Sequence, residues 1–170
     1  MNIELHPLEK ILLDGAAIVF GMARADVERI LGKGQVVGGR CYHCDGELAI
    51  DYDKDDRVEF VEFLGGADGR LRPILYGISV FETDAQELID RLREKHGGEV
   101  RDPERGHTIL LPQLSIGLYR ERTLTDVQEM IAEMEAEGIP CEGSEDIAEE
   151  MRRAARWDTI GLGAFGYYGH

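Results

Sequence analysis

The feature that most constrains the fold is an apolar pattern that occurs twice in the chain. The counterparts lie 61 residues apart: Val19-Phe20 and Val80-Phe81, Val27 and Leu88, Leu31 and Leu92. In each copy a stretch with helical spacing is followed by two short stretches of alternating apolar residues. The pattern predicts two tandem helix-strand-strand units, over about residues 11–64 and 72–120.

Local signals place the elements of these units. A short helix is predicted over about residues 23–31, with Asp26 in its first turn and Gly32 ending it. The alternation in residues 47–53 and 57–63, around a polar turn, predicts a hairpin. In the second unit, Thr83 or Asp84 is suited to cap the helix. Two short strands follow it, separated by Pro112-Gln113.

The stretch FGMARADVERILG, residues 20–32, resembles the helix start of SmpA/BamE-type outer-membrane assembly lipoproteins. Two such units in tandem are similar in layout to β-lactamase inhibitory protein. The resemblance implies an antiparallel sheet with helices packed on one face, and a sheet that binds protein. The chain differs from the family pattern at Ala23, where the family has Ser or Thr.

The last fifty residues predict a helical segment, 121–170. Leu124, Val127 and Met130 begin an apolar stripe at helical spacing, and Ser144 is suited to cap a second helix. The closing stretch WDTIGLGAFGYYGH is predicted to form a strand or hairpin that covers a sheet edge. We therefore expect residues 1–170 to form a single α+β domain that ends in two acidic helices and a final strand or hairpin.

The net charge of the chain restricts the classes of partner that it can bind. The chain has 19 basic and 34 acidic residues, a formal net charge of −15, which repels nucleic acid and anionic membranes. Residues 121–150 contain eleven acids and one base, Arg122. One interpretation is a solvated helical face. The other is a landing surface for a basic protein such as a nuclease, formed by Glu129, Glu133, Glu137, Glu145 and Glu149.

The N-terminus has neither the basic start nor the apolar run of a secretory signal, and no stretch is long and apolar enough to span a bilayer. We therefore expect a cytoplasmic protein. Its three cysteines, an odd number, are expected to be reduced thiols.

Two stretches resemble metal sites. DYDKDDRVEFVE, residues 51–62, has EF-hand spacing but has Asp56 where the loop requires glycine, and its flanks alternate like strands. A hairpin turn is favoured, and a weak cation site at Asp51, Asp53 and Asp55 is the alternative. CYHC, residues 41–44, suggests a redox pair or half of a zinc site, but a strand follows it and no second pair exists.

Other catalytic signals are weak. GLGAFG, residues 161–166, matches the dinucleotide fingerprint, but only four residues follow it, so we expect a turn or bulge. Of the five histidines, only His107, near Asp102 and Arg105, suggests acid-base geometry, and a surface turn is favoured there. We expect no enzyme and no cofactor.

Two functional classes stay open. The first is a non-enzymatic protein-binding module, such as an immunity or inhibitor protein that neutralises a basic partner. The second is a small-molecule or metal-binding enzyme with a site around Cys41, His43, Cys44 and Cys141. A homodimer through a sheet edge is compatible with either class.

Overall fold

The computed structural model describes residues 1–169, which form an α+β structure with four α-helices and twelve strands. The first half contains β1 (Asn2–His6), β2 (Lys10–Leu13), β3 (Ala16–Val19), α1 (Arg24–Leu31), β4 (Gln35–Val37), β5 (Arg40–His43), β6 (Leu48–Tyr52) and β7 (Val58–Phe63). The second half contains β8 (Arg72–Leu75), β9 (Ile78–Ser79), α2 (Ala85–His96), β10 (Thr108–Leu111), β11 (Ile116–Tyr119), α3 (Leu124–Ala136), α4 (Glu145–Ala154) and β12 (Thr159–Gly163).

The strands are divided between two sheets, where the sequence predicted one. A five-stranded sheet has the order β3-β2-β1-β8-β9, and its β1–β8 pair is parallel. A seven-stranded antiparallel sheet has the order β10-β11-β12-β7-β6-β5-β4. The prediction of a single sheet was wrong because β1 pairs with β8, about seventy residues away along the chain, and no local pattern encodes that pairing.

Two tight hairpins precede the first two helices. Asp14-Gly15 joins β2 to β3, and Tyr76-Gly77 joins β8 to β9. All four of these residues have positive φ, as the two central residues of a type I′ turn require. The chain then passes into α1 and α2, whose first residues are 61 positions apart, Arg24 and Ala85.

The helix ends follow capping chemistry. The Asp84 carboxylate accepts hydrogen bonds from the amides of Gln86 and Glu87 at the start of α2. Thr123 and Asp126 form a reciprocal capping box on α3, and the Ser144 hydroxyl accepts from the Ile147 amide on α4. Gly32 ends α1 with φ +78°, as the sequence predicted.

A single apolar cluster links both sheets to α1 and α2. It includes Ile3 and Leu75 of the five-stranded sheet, Phe63 of the seven-stranded sheet, Val27 of α1 and Leu88 of α2. Trp157, which follows α4, lies in the same cluster and donates its indole N–H to the carbonyl of Ala85. That hydrogen bond ties the segment before β12 to the start of α2.

The closing strand is present, but it does not cover an edge. β12 lies between β11 and β7, with Gly161 paired to Gly117 on one side and to Glu62 on the other. It completes the sheet from inside, because the α3–α4 segment is inserted between β11 and β12.

No helix among residues 1–169 is long and apolar enough to cross a membrane.

Candidate functional site

Helices α3 and α4 pack on each other as a helical hairpin, residues 123–155, that stands apart from the main core. Val127 is the buried residue of α3, Ala154 is that of α4, and Cys141 is buried in the loop between them. Within the described residues, none of these three belongs to the core cluster that joins the two sheets. The hairpin therefore has a small interior of its own and a large exposed surface.

Polar contacts hold the base of the hairpin to the body. The Arg120 guanidinium donates to the carbonyl of Ala154 (2.8 Å) and lies 4.9 Å from the ring centroid of Trp157. His107 Nε2 lies 2.9 Å from an Asp126 carboxylate oxygen, and its Nδ1 faces the carbonyl of Arg120. Sequence reasoning had placed His107 beside Asp102, but the Asp102 carboxylate accepts from the Gly106 amide within a turn.

Four of the five predicted partner-binding residues are exposed and unpaired. Glu129, Glu133, Glu137 and Glu145 make no ion pair or side-chain hydrogen bond to any other residue in the range 1–169. Glu149 differs, because Arg152 and Arg153 bind its carboxylate and these hydrogen bonds lower its pKa. The sequence spacing predicts that pairing, because Arg152 and Arg153 follow Glu149 by three and four positions on one helix.

The charges of α3 oppose its helix dipole. Glu129, Glu133 and Glu137 follow one another at intervals of four residues, so like charges are neighbours on the helix surface. Glu133 and Glu137 lie at the C-terminal end, where the dipole favours cations, and no base lies in the last turn. Helix α4 has the opposite, favourable arrangement, with Glu145 and Asp146 in its first turn and arginines in its last.

A cleft of about 490 Å³ lies between α4 and the loop that follows β7. Its lining includes Gly65-Gly66, Tyr119, Arg122, Arg153 and Asp158. Both arginines are already engaged, Arg122 with Glu150 across the hairpin and Arg153 with Glu149. The cleft therefore offers no free cation, as judged over the described chain, to hold an anionic ligand.

The end of β5 separates Cys44 from Cys41 and His43. Cys41 and His43 lie on one face of β5 and are 3% and 5% exposed, with Sγ and Nε2 3.4 Å apart. Cys44 is exposed in the 3-10 turn that follows, and Cys141 lies in the α3–α4 loop, so the four predicted ligands do not form one cluster. Among residues 1–169, no three His, Cys, Asp or Glu side chains converge as metal ligands.

The EF-hand-like stretch forms the β6–β7 hairpin. Asp53 caps the turn by accepting from the amides of Asp55 and Arg57. Asp51 accepts from Arg40, whose guanidinium also donates to Glu62. Two of the three predicted cation ligands thus have protein partners.

Close packing explains two of the three glycines of GLGAFG, Gly161 and Gly163, while Gly166 has a positive φ of 80°. Gly161 and Gly163 face the aromatic group of Phe60, Tyr167 and Tyr168, and a Cβ at either position would overlap these side chains. Phe60 and Tyr167 stack with ring centroids 4.5 Å apart. The glycines let the C-terminal aromatics lie directly on β12.

Comparison of the chain with protein-family models, with curated proteins and with solved structures finds no significant match.

Proposed function

We propose that the chain is a non-enzymatic protein-binding module whose α3–α4 hairpin binds a basic protein. An immunity or inhibitor protein that neutralises a cationic partner, such as a nuclease, has this chemistry. The contact residues in this proposal are Glu129, Glu133, Glu137 and Glu145, with Glu149 available only if Arg152 and Arg153 release it.

The observation that carries the proposal is a helical hairpin with exposed, unpaired carboxylates. An exposed acid that already has an arginine partner loses that partner when it binds another protein. The four free glutamates have no such contact to lose. Half-exposed Leu124 and Ile139 on the same hairpin add apolar area, which interfaces combine with a charged rim.

The unfavourable charge arrangement of α3 supports the same proposal. Solubility alone is served by acids anywhere on the surface, including places where they stabilise the helix. Like charges four residues apart cost about 0.2–0.5 kcal/mol per pair. Acids near a helix C-terminus add a further cost of about 0.3–1 kcal/mol each. When such a surface binds a cationic partner, attraction between the glutamates and the partner's charges offsets this unfavourable free energy.

The tandem-unit interpretation also belongs to the proposal. The β2–β3 and β8–β9 turns, the 61-residue spacing of the helix starts, and a 3-10 turn after both β5 and β10 support two related units. After α2, the predicted second unit, residues 72–120, contains only β10 and β11; we extend it to β12, so that β11 and β12 correspond to β6 and β7 of the first unit. The hairpin then occupies the place of the short β6–β7 turn, as an insertion added to the sheet.

The test compares two variants of equal net charge. One variant carries Glu129→Gln, Glu133→Gln and Glu137→Gln on the hairpin. The matched control carries Glu9→Gln, Asp14→Asn and Glu94→Gln, three exposed acids outside it. Partners captured by the tagged wild-type chain are identified by mass spectrometry. Their dissociation constants are then measured for all three proteins over a range of salt concentrations.

The proposal expects a basic partner whose affinity falls about tenfold or more with the hairpin variant, since charge-pair couplings at interfaces are about 1.5 kcal/mol or more. The control variant should bind like the wild type, and added salt should weaken binding. A partner that binds both variants equally, or whose binding is insensitive to salt, would place the interface elsewhere.

A further inference from the structure

Cys41 and His43 form a buried thiol–imidazole pair that the proposed partner binding does not use. Both side chains lie on the buried face of β5, and Sγ and Nε2 are 3.4 Å apart. Burial lowers the pKa of the His43 imidazole, while nearby Glu28 opposes this with a smaller effect. The imidazole is therefore neutral near pH 7 and has a lone pair available to accept the thiol proton.

Tyr52 brings an unused hydroxyl to the same place. Tyr52 belongs to β6 and is the diagonal neighbour of Cys41, which pairs with Ile50. Its Oη is buried and, across residues 1–169, has no hydrogen-bond partner. Burial and the proximity of Cys41 raise the pKa of Tyr52 to about 12. The hydroxyl is thus a protonated donor, and a buried donor without an acceptor is unfavourable.

The open space nearest to the pair lies beside His43. His43 lines an open cavity of about 530 Å³ together with Leu31, Lys33 and Cys44. Gly34 lies against the pair, because a Cβ at this position would be 2.5 Å from Cys41 Sγ and 2.8 Å from His43 Cε1. The backbone thus covers the thiol closely and leaves the His43 side as the approach.

The other two thiols have no base. Cys44 is exposed, but partial covering of its sulfur and the charges of Glu47 and Asp45 raise its pKa, which disfavours the reactive thiolate. Cys141 is buried, and its sulfur lies near the carbonyl oxygens of Ile139 (3.6 Å) and Ile131 (4.0 Å). These oxygens accept a hydrogen bond from the thiol but cannot remove its proton.

We propose that Cys41 is a modification site at which a small hydroperoxide oxidises the thiol to a sulfenic acid. His43 Nε2 takes the thiol proton, and the Cys41 sulfur attacks one peroxide oxygen. A sulfur–oxygen bond forms as the oxygen–oxygen bond breaks, and the leaving hydroxide takes the proton from His43. Hydrogen peroxide and the thiol thus give water and Cys41–SOH, with sulfur oxidised by two electrons and peroxide reduced by two.

Tyr52 stabilises the product in this scheme. The oxygen added to Cys41 supplies the acceptor that the buried Tyr52 hydroxyl lacks, so the cost of the unsatisfied donor is relieved in the oxidised state. The same hydrogen bond holds the sulfenic acid and slows its further oxidation. The pair acts independently of the acidic hairpin, so failure of either proposal leaves the other standing.

The experiment measures which thiol gains oxygen first. The native chain and the urea-unfolded chain receive hydrogen peroxide, and peptide mapping by mass spectrometry follows one-oxygen adducts on each cysteine. In the native chain Cys41 is expected to react at least about tenfold faster than exposed Cys44, since a positioned base contributes about 10²–10⁴-fold. In urea the three thiols should react at similar rates, because only the fold brings His43 to Cys41.

Two variants separate the roles. His43→Gln should slow oxidation of Cys41 to the rate in urea, and Tyr52→Phe should leave the first oxidation intact but increase the sulfinic product. Circular dichroism and thermal unfolding establish that each variant is folded. Faster native oxidation of Cys44 than Cys41, or a native Cys41 rate no higher than that in urea, would overturn the proposal without reference to any variant.

Discussion

At the scale of single residues, the outer face of the seven-stranded sheet depends on glycines that admit aromatic side chains. A Cβ at Gly117 would overlap the ring and hydroxyl of Tyr168, and Tyr168 supplies all three of its nearest contacts. Gly117→Ala should therefore destabilise the fold by about 1–3 kcal/mol, as overpacking does. Urea unfolding measures the change.

A double-mutant cycle supplies the control for this prediction. In a Tyr168→Ala background the overlap is absent, so Gly117→Ala should then cost far less. An equal cost in both backgrounds would mean that Gly117 is required for another reason.

Asp126 gives a prediction about pH at the same scale. The Thr123 amide donates to its carboxylate, and this bond, with help from nearby His107 and Arg122, lowers its pKa from the ordinary value. The folded state thus favours the ionised form. The stabilisation is complete above the ordinary carboxyl pKa and is lost as the pH falls through the lowered folded pKa. Asp126→Asn should reduce stability at pH 7 and make the loss below pH 4 shallower, as measured by thermal unfolding.

The matched control for the pH prediction is Asp146→Asn, which changes an acid in the first turn of α4. No side-chain hydrogen bond or ion pair to Asp146 is present in the described chain. The stability of this variant should fall with decreasing pH in the same way as that of the wild type. Identical profiles for Asp126→Asn and the wild type would contradict the assigned role of the capping box.

At the scale of elements, α3 should become more stable when its unfavourable charges are reversed. Glu133→Lys removes repulsion from Glu129 and Glu137, creates two attractive pairs and places a cation near the C-terminus. We expect stabilisation of about 1 kcal/mol, measured by thermal or urea unfolding. The reverse effect is expected for Glu145→Lys, which places the same charge at the N-terminal end of α4. Destabilisation by Glu133→Lys would remove one support for the proposed binding surface.

Elements were more predictable than their arrangement. Local residues determine where α1 ends and where α2 and α4 begin, since Gly32, Asp84 and Ser144 act within one turn of the chain. The position of β12 inside the sheet depends on its pairing with β7 and β11, which local spacing does not encode.

The sequence likewise predicts some features of the candidate site and not others. Its acidic character is visible in the sequence, and the Glu149 pairs with Arg152 and Arg153 follow from helical spacing. The pairing of Arg122 with Glu150 and of His107 with Asp126 depends on how the hairpin folds back on the body. Sequence reasoning therefore found the acidic surface but not the contacts that hold its base.

At the scale of the whole molecule, a net charge of −15 opposes compaction, and the opposition is concentrated in the hairpin. Salt screens this repulsion, since the Debye length falls from about 30 Å at 0.01 M to about 3 Å at 1 M. The melting temperature should therefore rise as sodium chloride is added. The increase should be smaller for the Glu129→Gln/Glu133→Gln/Glu137→Gln variant, because that variant has less local repulsion to screen.

The control variant with Glu9→Gln, Asp14→Asn and Glu94→Gln has the same net charge and separates two causes of this salt effect. If total charge governs stability, both variants should lose the same part of the salt response. If the density of charge on α3 governs it, only the hairpin variant should lose it, which is the outcome we expect from three like charges spaced four residues apart. An equal salt response in both variants would show that repulsion within the hairpin is weak. Its relief would then add little to the binding of a cationic partner.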